Sequence, residues 1–447
     1  MDSVKWSGIT PKKESKFVVL KAVSLFSSSG IGDLGIRNNN VETVVASELL
    51  ADRVRLFQRN YPGAKCFCGD IWELADGIVD YYKDHYKDSP FLLMATPPCQ
   101  GMSSNGMGKM LSDFRKGLRP EFDERNRLII PTIKIIKALK PQWVILENVA
   151  NMKNTFIVDE NDDLVNIIDY IQRELRDDYV GNATVIDCAD YGVPQNRKRL
   201  LTVLSRTRNG KRHFAKFKSF LPEATHSEQE GLFKQKWVSV RQSIEQLPPL
   251  QSIKGKNSNT AFHPLHRVPL LDDKKLFWIT NTPEGNTAFN NQCVNPGCGY
   301  QGNPVHGATK DATGVNRYNG DTPIYCVKCG SLLPRPSVTD KKTGKVRLMK
   351  GYVSAYKRMA WDKPASTLTQ NFQFACSDNK LHPQQDRVLS LYEGLILQTI
   401  SNYEFSFDVD GKMVSDGLIR DTIGESVPPL AIDVLCRNIL KIENDKC

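Results

Sequence analysis

The chain has 447 residues, of which 40% are hydrophobic and 25% are charged, and its formal net charge is +10. This length can bury a full core and divide into two domains, and the composition excludes a disordered or fibrous chain. No apolar run approaches the length of a membrane span, and the polar, basic N-terminus lacks the apolar segment of a secretory signal. We therefore expect a cytoplasmic protein with no membrane partner.

The first half of the chain alternates short apolar strands with helical segments, which predicts an α/β fold. The first predicted strand, Val18–Phe26, leads into a Ser- and Gly-rich turn that contains Gly30 and Gly32. Such a turn lets backbone N–H groups approach a cofactor closely. Glu48 closes the second predicted strand and Asp70 follows a third. Acids at these places commonly bind the ribose of an adenosine cofactor, although either alone is more often a helix cap or a solvated charge.

A second polar loop follows the apolar run Phe91–Ala95. Pro97 and Pro98 end this predicted strand because proline has no N–H group for a sheet, and Cys99 comes next. A lone cysteine is usually a small buried hydrophobic residue. A Pro-Pro turn at the carboxyl edge of a sheet instead holds the thiol away from the strands, as a nucleophile requires.

A helical segment, Arg125–Leu139, then leads to a strand, Trp143–Leu146, that ends in Glu147. Strand–helix–strand units have parallel neighbouring strands, so both strands deliver their carboxyl ends to one sheet edge. We therefore expect Cys99 and Glu147 to converge. The alternative is that Glu147 is a structural acid at the start of the next segment.

Two arginines follow in the segment between two later strands. Arg197 and Arg199 stand at alternate positions, so their side chains point the same way if the segment is extended. They could be ordinary surface charges. Their position beside the same sheet edge favours contacts with an anion or a base.

Positive charge is concentrated in the middle of the chain. Residues 191–360 hold 28 Lys and Arg against 10 Asp and Glu, a net charge of +18, whereas the remaining residues have a net charge of −8. A merely solvated surface would account for the total but not for the asymmetry. We therefore expect this region to face a polyanion, most simply nucleic acid.

The same region is loop-rich and contains four cysteines in two short-spaced pairs. Cys293 and Cys298 are separated by 27 residues from Cys326 and Cys329. This spacing predicts one structural zinc ion in a zinc-ribbon-like element, because four protein thiolates leave no open position for catalysis. A pair of disulfides or four unrelated cysteines are the alternatives, and His306 could replace one ligand.

Taken together, these residues resemble the DNA (cytosine-5) methyltransferase family. The resemblance covers most of the chain apart from residues 206–350. Its motifs stand in the family's order, and they are Phe26–Gly30, Pro97-Pro98-Cys99-Gln100, Glu147-Asn148-Val149, Gln195–Arg199, Arg387 with Glu393, and Gly424–Pro429. The resemblance implies a doubly wound, mostly parallel sheet of the S-adenosylmethionine-dependent methyltransferase fold, with a smaller DNA-recognition domain. We expect a catalytic domain over 1–205, a target-recognition domain over 206–400, and a C-terminal segment, 401–447, that returns to the catalytic domain.

The resemblance also implies the roles of individual residues. Cys99 forms a covalent adduct with a flipped-out cytosine, Glu147 supplies a proton at N3, and Arg197 and Arg199 bind the flipped nucleotide and orient Glu147. S-adenosylmethionine is the implied cofactor. The residues expected around it are Phe26, Gly30, Gly32, Glu48, Asp70, Ile71 and Pro97.

Two positions depart from the family's pattern. Ser28 stands where the cofactor loop usually has its first glycine, which puts the local backbone path in question. Glu425 stands where the last motif usually has asparagine, so a role for that side chain cannot be transferred.

The implied substrate is double-stranded DNA, and the implied setting is a restriction-modification system with a partner endonuclease and a monomeric methyltransferase. An RNA cytosine-5 methyltransferase shares the catalytic loop, but the long basic insert favours a DNA duplex. An amino-methyltransferase would have an Asp or Asn before the Pro-Pro pair, where Thr96 stands, and an aromatic residue at Cys99. A non-catalytic DNA-binding regulator would be expected to lack Cys99 or Glu147.

Overall fold

The computed structural model describes residues 19–98, 124–310, 316–318, 322–349 and 354–445. The expected nucleophile, Cys99, lies outside the described residues. Within these ranges, none of the helices combines the length and apolar character needed to cross a membrane.

The strands of the structure include seven that form one central sheet. In chain order the strands are β1 (Leu20–Leu25), β2 (Val41–Glu48), β3 (Lys65–Cys68), β4 (Leu92–Ala95), β5 (Trp143–Val149), β6 (Phe156–Val158), β7 (Leu164–Asn166), β8 (Val180–Asp187), β9 (Gln195–Asn196), β10 (Lys198–Ser205), β11 (His226–Ser227), β12 (Gln235–Lys236), β13 (Ala308–Lys310), β14 (Asn316–Tyr318), β15 (Ser337–Thr339), β16 (Val346–Leu348), β17 (Ala365–Ser366), β18 (Asp408–Val409) and β19 (Lys412–Met413).

The helices cover both faces of this sheet and extend into the second half of the chain. They are α1 (Asp33–Arg37), α2 (Ala51–Asn60), α3 (Ile71–His85), α4 (Ile129–Leu139), α5 (Ile167–Leu175), α6 (Arg208–Phe217), α7 (Val240–Ile244), α8 (Asp273–Thr280), α9 (Leu391–Leu397), α10 (Asp416–Glu425) and α11 (Pro429–Asn444).

The central sheet has the strand order β3-β2-β1-β4-β5-β10-β8. Strands β1 to β5 pair with one another in parallel, and β10 is antiparallel to both β5 and β8. The expected mostly parallel α/β sheet is therefore present. The chain runs outward from β1 to β3 and then returns to β4 on the other side of β1. This reversal of strand order opens a crevice at the carboxyl ends of β1 and β4, where ligands bind in open α/β sheets.

Alternate residues of the strands face two separate apolar layers. Val23, Val144 and Leu146 pack in one layer with α3, α4 and α5, whereas Ala22 and Ile145 face the other. The period of two along each strand produces this division. The sheet is buried on both faces, which explains why its strands read as continuous apolar runs rather than as alternating patterns.

The last helix, α11, packs against the first helix, α1. A Cβ atom at Gly35 of α1 would lie 2.5 Å from both the backbone N of Asp433 and the backbone O of Pro429. Glycine is therefore needed here for close approach. Side chains reinforce the contact, since Asn38 and Asn39 each donate a hydrogen bond to the Asp433 carboxylate, at 3.1 Å and 2.7 Å.

Two helices begin later than their apolar spacing predicts. Apolar spacing in the sequence predicts a helix over 163–175. The helix begins at Ile167, because the Asn166 side chain accepts from the Ile168 N–H and Leu164–Asn166 pairs with β6. The sequence likewise predicts a helical stretch over 386–400. The helix spans only Leu391–Leu397, and Ser390 forms a capping box with Glu393 at its start.

Candidate active site

The crevice is formed by the loops after β1 and β4, which are joined directly. The Thr96 hydroxyl donates a hydrogen bond to the Phe26 carbonyl oxygen at 3.0 Å, and the Thr96 N–H donates to Leu25 O at 3.2 Å. Pro97 is buried beside this junction. The loop that leads to Cys99 therefore begins against the Ser- and Gly-rich turn.

The turn after β1 has a left-handed backbone at alternate residues. The φ angles are +57° at Phe26, +49° at Ser28 and +84° at Gly30. Ser28 thus adopts the left-handed conformation that glycine, the residue expected at this position, takes most easily. With serine here, the loop contains a residue whose backbone is strained. At Gly30 a Cβ atom would lie 2.4 Å from the Tyr61 ring, so this glycine is required by both conformation and space.

Glu48 organises this turn through both of its carboxylate oxygens. Oε2 accepts from the Ser28 N–H and Oε1 from the Leu50 N–H, each at 3.0 Å. Its backbone oxygen accepts from the Gly69 N–H at 3.0 Å. Glu48 is 8% exposed, and it ties the loops after β1, β2 and β3 together at one edge of the sheet.

Asp70 and Ile71 lie at the start of α3. Asp70 caps the helix by accepting from the Trp72 N–H at 2.9 Å. The Ile71 side chain is buried in the core, so only its backbone is available to a ligand. Gly32 stands at the N-cap of α1, where a Cβ atom would lie 3.3 Å from Met94 Cε.

Exposed apolar side chains flank these acids, and the sequence reasoning missed them. Leu49, Leu50 and Trp72 expose 62%, 48% and 46% of their surface, directly beside Glu48 and Asp70. Apolar surface next to the buried carboxylate of Glu48 and the exposed carboxylate of Asp70 is typical of a site for a ligand that is part apolar and part hydroxylated. The signal in the sequence was their position immediately after the two acids.

Two buried serine hydroxyls in the turn after β1 also fit an adenosine cofactor. The Ser28 and Ser29 hydroxyls are buried without a hydrogen-bond partner among the described residues. Buried hydroxyls normally have a partner, and their place in the turn after β1 suits a ligand that carries polar groups. Together with Glu48 and Asp70, they form a donor and acceptor set that matches a nucleoside.

Glu147 ends β5 and is paired with Arg199 on the antiparallel strand β10. Arg199 Nε lies 2.8 Å from Glu147 Oε1, and their side chains are 12% and 9% exposed. Burial raises the pKa of the Glu147 carboxyl above its ordinary value, although the positive charges of Arg199 and Arg197 oppose this. A carboxyl group with a raised pKa gives up its proton less readily than a solvated glutamate does.

The residue after Glu147 connects it to the Cys99 loop. Asn148 is buried and donates from Nδ2 to the Pro97 carbonyl oxygen at 3.0 Å. Ala95 is paired with Leu146 across β4 and β5. The chain therefore reaches Cys99 from a point anchored beside Glu147.

Arg197 differs from the expectation that it points with Arg199. It is 1% exposed, and its guanidinium donates to Leu368 O at 2.6 Å, Gly424 O at 3.0 Å and Ser426 O at 2.8 Å. Burial lowers the pKa of Arg197 to about 9. Arg197 is therefore occupied in joining the catalytic edge to later parts of the chain, because its backbone lies between β9 and β10 rather than within a strand.

A buried amide network accompanies Arg197. Gln195 donates to Gln398 Oε1 at 2.7 Å and accepts from the Leu368 N–H at 2.7 Å, and Gln398 donates to Ser426 O at 2.6 Å. Glu425, the second departure from the expected motif, bonds to Gln370 and lies 2.6 Å from Arg53 Nη1 of α2. These contacts join five distant segments of the chain.

The four cysteines form a cluster apart from this crevice. The Sγ atoms of Cys293, Cys298, Cys326 and Cys329 all lie within 4.8 Å of one another. His306 is not among them, because its ring stacks on Phe289 and its Nδ1 bonds with Thr322 Oγ1 at 3.1 Å.

Comparison with known proteins agrees with this arrangement. Type II methyltransferase M1.HgaI of Avibacterium volantium is 29% identical over 432 residues, which cover 94% of this chain and 98% of that protein. Type II methyltransferase M1.HphI of Haemophilus parahaemolyticus is 22% identical over 439 residues, which cover 97% of this chain and 91% of that protein.

The fold also has a solved counterpart. A prophage-encoded protein of E. coli, described as a DNA modification methyltransferase, superimposes with a TM-score of 0.54 at 16% sequence identity, over 95% of this chain and all of that chain. The family profile described as C-5 cytosine-specific DNA methylase matches residues 20–441. The chain therefore belongs to the C-5 cytosine-specific DNA methylase family, and it is an S-adenosylmethionine-dependent DNA (cytosine-5)-methyltransferase.

Proposed function

We propose that this enzyme methylates C5 of a flipped-out cytosine in a specific duplex site, through a covalent adduct between Cys99 and the base. The observation that carries the proposal is the buried Glu147–Arg199 pair beside the anchored start of the Cys99 loop. A carboxyl group whose pKa is raised by burial and a nucleophile after the neighbouring strand are the two groups that this chemistry requires.

The chemistry assigns one step to each group. Cytosine C5 is a poor nucleophile, and addition of the Cys99 thiolate to C6 makes C5 electron-rich. Glu147 donates a proton to N3 as negative charge develops there, and Arg199 fixes the orientation of its carboxyl group. S-adenosylmethionine, when bound, supplies an electrophilic methyl group. Loss of the C5 proton to a base, release of the thiolate from C6 and return of the N3 proton to Glu147 restore the aromatic ring and the enzyme.

The cofactor would be held by the turn after β1 and by the acids after β2 and β3. Glu48 and Asp70 have the chemistry to accept hydrogen bonds from ribose hydroxyls and an adenine amine. Phe26, Gly30, Gly32, Pro97 and the Ile71 backbone would form the surrounding surface. Arg197 would position the site by holding the segment around Gly424, without touching the base.

The substrate we propose is double-stranded DNA. The target atom is inaccessible inside a duplex, so the cytosine must leave the stack, at a cost of a few kcal/mol. The basic stretch from 191 to 360 supplies the charge to bind the phosphates. We assign 1–205 to catalysis, 206–400 to target recognition and 401–447 to closure of the catalytic domain.

We also propose a biological setting from the relatives. M1.HgaI and M1.HphI are Type II methyltransferases, a class named for restriction-modification systems. We infer that this enzyme acts alongside a restriction endonuclease of the same specificity and that it works as a monomer, since each chain contains one complete set of proposed catalytic groups.

Trapping on a modified substrate tests the covalent step. A duplex with 5-fluorocytosine at the target should form a stable covalent complex with the wild type, because fluorine cannot leave C5 as a proton does. Cys99→Ala should form no complex while it still binds DNA. Cys376→Ala, at an exposed cysteine away from the four-cysteine cluster, is the matched control and should be trapped normally. Trapping of Cys99→Ala would refute the assignment.

A further inference from the structure

We propose that Cys293, Cys298, Cys326 and Cys329 bind one structural zinc ion, and that this ion holds together the part of the chain assigned to DNA recognition. The proposal goes beyond methyl transfer, since neither the chemistry nor the cofactor needs a metal. It begins from the geometry of the four sulfur atoms.

The sulfur positions match a tetrahedral metal site. Cys293 Sγ lies 3.7 Å from Cys329 Sγ, and Cys298 Sγ lies 4.0 Å from Cys326 Sγ. A zinc–sulfur bond of about 2.3 Å gives sulfur atoms about 3.8 Å apart at the corners of a regular tetrahedron. Each of these two distances joins a sulfur of the first pair to one of the second, so the pairs interleave around a common centre.

Each cysteine pair lies on a tight turn that has a glycine directly after its second cysteine. Gly299 follows Cys298 with φ +55°, and Gly330 follows Cys329 with φ +72°. A Cβ atom at either glycine would meet nothing within 4 Å, so conformation rather than space requires glycine there. The turns are closed by hydrogen bonds from Gly299 N–H to Asn295 O at 2.9 Å and from Gly330 N–H to Cys326 O at 2.8 Å.

The segment has little apolar core of its own. The buried apolar cluster here consists of Cys293, Cys326 and Leu333, with Cys298 and Tyr300 partly buried around it. Neighbouring apolar residues point outward, since Val294, Tyr325 and Val327 expose 43%, 47% and 60% of their surface. A segment that buries so little apolar surface needs a cross-link.

The cluster is connected to the rest of the recognition region through buried polar contacts. Arg335 is fully buried and donates to Asn291 O, Pro304 O and Pro323 O, each at 2.8 Å. The Asn291 amide donates in turn to Trp278 O of α8 at 2.8 Å. Loss of the metal would therefore loosen the turns and the carbonyls that Arg335 joins.

The alternatives explain less. Disulfides would join a sulfur of one turn to a sulfur of the other. The nine cysteines of the described residues are all free. A catalytic metal would need an open coordination position, and four protein thiolates fill the tetrahedron. A structural ion remains as the role that fits the donor set.

Metal content of the purified full-length enzyme tests the site first. We expect about one zinc per chain by mass spectrometry, and titration with an organomercurial should release it in step with modification of about four thiols. Growth with cobalt should give the intense absorption of a tetrahedral cobalt–thiolate site. Active enzyme without bound zinc would overturn the proposal.

A cysteine substitution with a matched control tests whether the zinc ion supports DNA binding. Cys329→Ser should lose zinc and weaken DNA binding by about tenfold or more, while S-adenosylmethionine affinity changes by less than about twofold. Cys376→Ser should keep both zinc and DNA binding. Because Cys329→Ser could unfold altogether, cofactor affinity also reports that the catalytic domain is intact. Zinc retention in Cys329→Ser, or loss of zinc with unchanged DNA affinity, would contradict the proposal.

Discussion

At the scale of single residues, the site depends on charged groups held at the ends of strands. Glu147 could be predicted from the sequence because a strand ends there and the preceding strand ends near Cys99. From the residues alone, its partner Arg199 could be predicted only as a basic residue near the edge, and the family resemblance added that Arg199 orients Glu147. The Asn148 bond to Pro97 could not, because it joins positions that only the register of β4 and β5 brings together.

Replacement of Glu147 by glutamine tests its role as a proton donor. The amide would keep the shape of the side chain but could not protonate N3, so we expect Glu147→Gln to slow methyl transfer by about 10²- to 10⁴-fold. DNA affinity should be largely retained. Single-turnover methylation measures the chemical step, and Glu174→Gln, which changes an acid paired with Lys137 on the outer helices, is the control. A loss of less than about tenfold would remove Glu147 from the mechanism.

Replacement of Ser28 by glycine should make the protein more stable. Its φ of +49° costs an L-residue about 1–2 kcal/mol, which Ser28→Gly would relieve, less the extra entropy of glycine in the unfolded chain. We expect the free energy of unfolding to rise by up to about 1 kcal/mol. Ser29→Gly, at a residue without positive φ, should lower it instead. Denaturant unfolding measures the free energy of unfolding of both variants. If Ser29→Gly were the more stable of the two, the proposed strain at Ser28 would be wrong.

At the scale of elements, apolar runs in the sequence predict where the strands lie, but apolar spacing does not predict where the helices begin. The predicted strand over 143–146 lies within Trp143–Val149, because a buried parallel strand is apolar throughout. The helix α9 starts five residues after Asp386, since the Ser390 side chain competes for the first N–H groups. Periodicity records which residues are apolar but not which side chain caps the helix.

The contact between α1 and α11 gives a prediction at this scale. Gly35→Ala should destabilise the protein by about 1–3 kcal/mol, because the new methyl group would meet backbone atoms of Pro429 and Asp433 that cannot rotate away. Gly77→Ala in α3, where a Cβ atom meets nothing within 4 Å, should instead stabilise by about 0.5–1 kcal/mol. Thermal unfolding of the two variants measures the difference. Equal effects would mean that α11 does not pack closely on α1.

At the scale of the whole molecule, long-range contacts were beyond sequence reasoning. The Arg197 guanidinium donates to carbonyl oxygens of Leu368, Gly424 and Ser426, which lie more than 170 positions further along the chain. The same holds for Glu425, whose partner Arg53 lies on α2. The sequence predicted which segments return to the catalytic domain through the family resemblance, but not the bonds that hold them.

Stability of the whole fold should depend on pH through Asp33. Asp33 is fully buried and accepts from the Ser24 and Thr43 hydroxyls, and burial raises its pKa to about 6. The folded state therefore binds this proton more tightly than the unfolded state, whose pKa is about 3.8. The contribution of Asp33 to stability is greatest below the unfolded pKa and is lost as pH rises through about 6.

Asp33→Asn should therefore be more stable than the wild type at neutral pH. Asparagine keeps the shape and carries no charge, so we expect a gain of about 1–2 kcal/mol above pH 7 that vanishes below about pH 4. Urea unfolding across this range measures the difference. A gain that stays constant with pH, or a loss at pH 7, would show that Asp33 is not a buried charge in the folded state.

Methylation of cytosine C5 in DNA by Cys99 and Glu147 can be measured inside cells. The experiment is sequencing of 5-methylcytosine in the DNA of a host without its own cytosine methylation that expresses the chain. We expect 5-methylcytosine at one recurring sequence, and none in hosts that express Cys99→Ala. Absence of 5-methylcytosine with folded, cofactor-binding wild-type enzyme, or unchanged methylation by Cys99→Ala, would contradict the proposed mechanism.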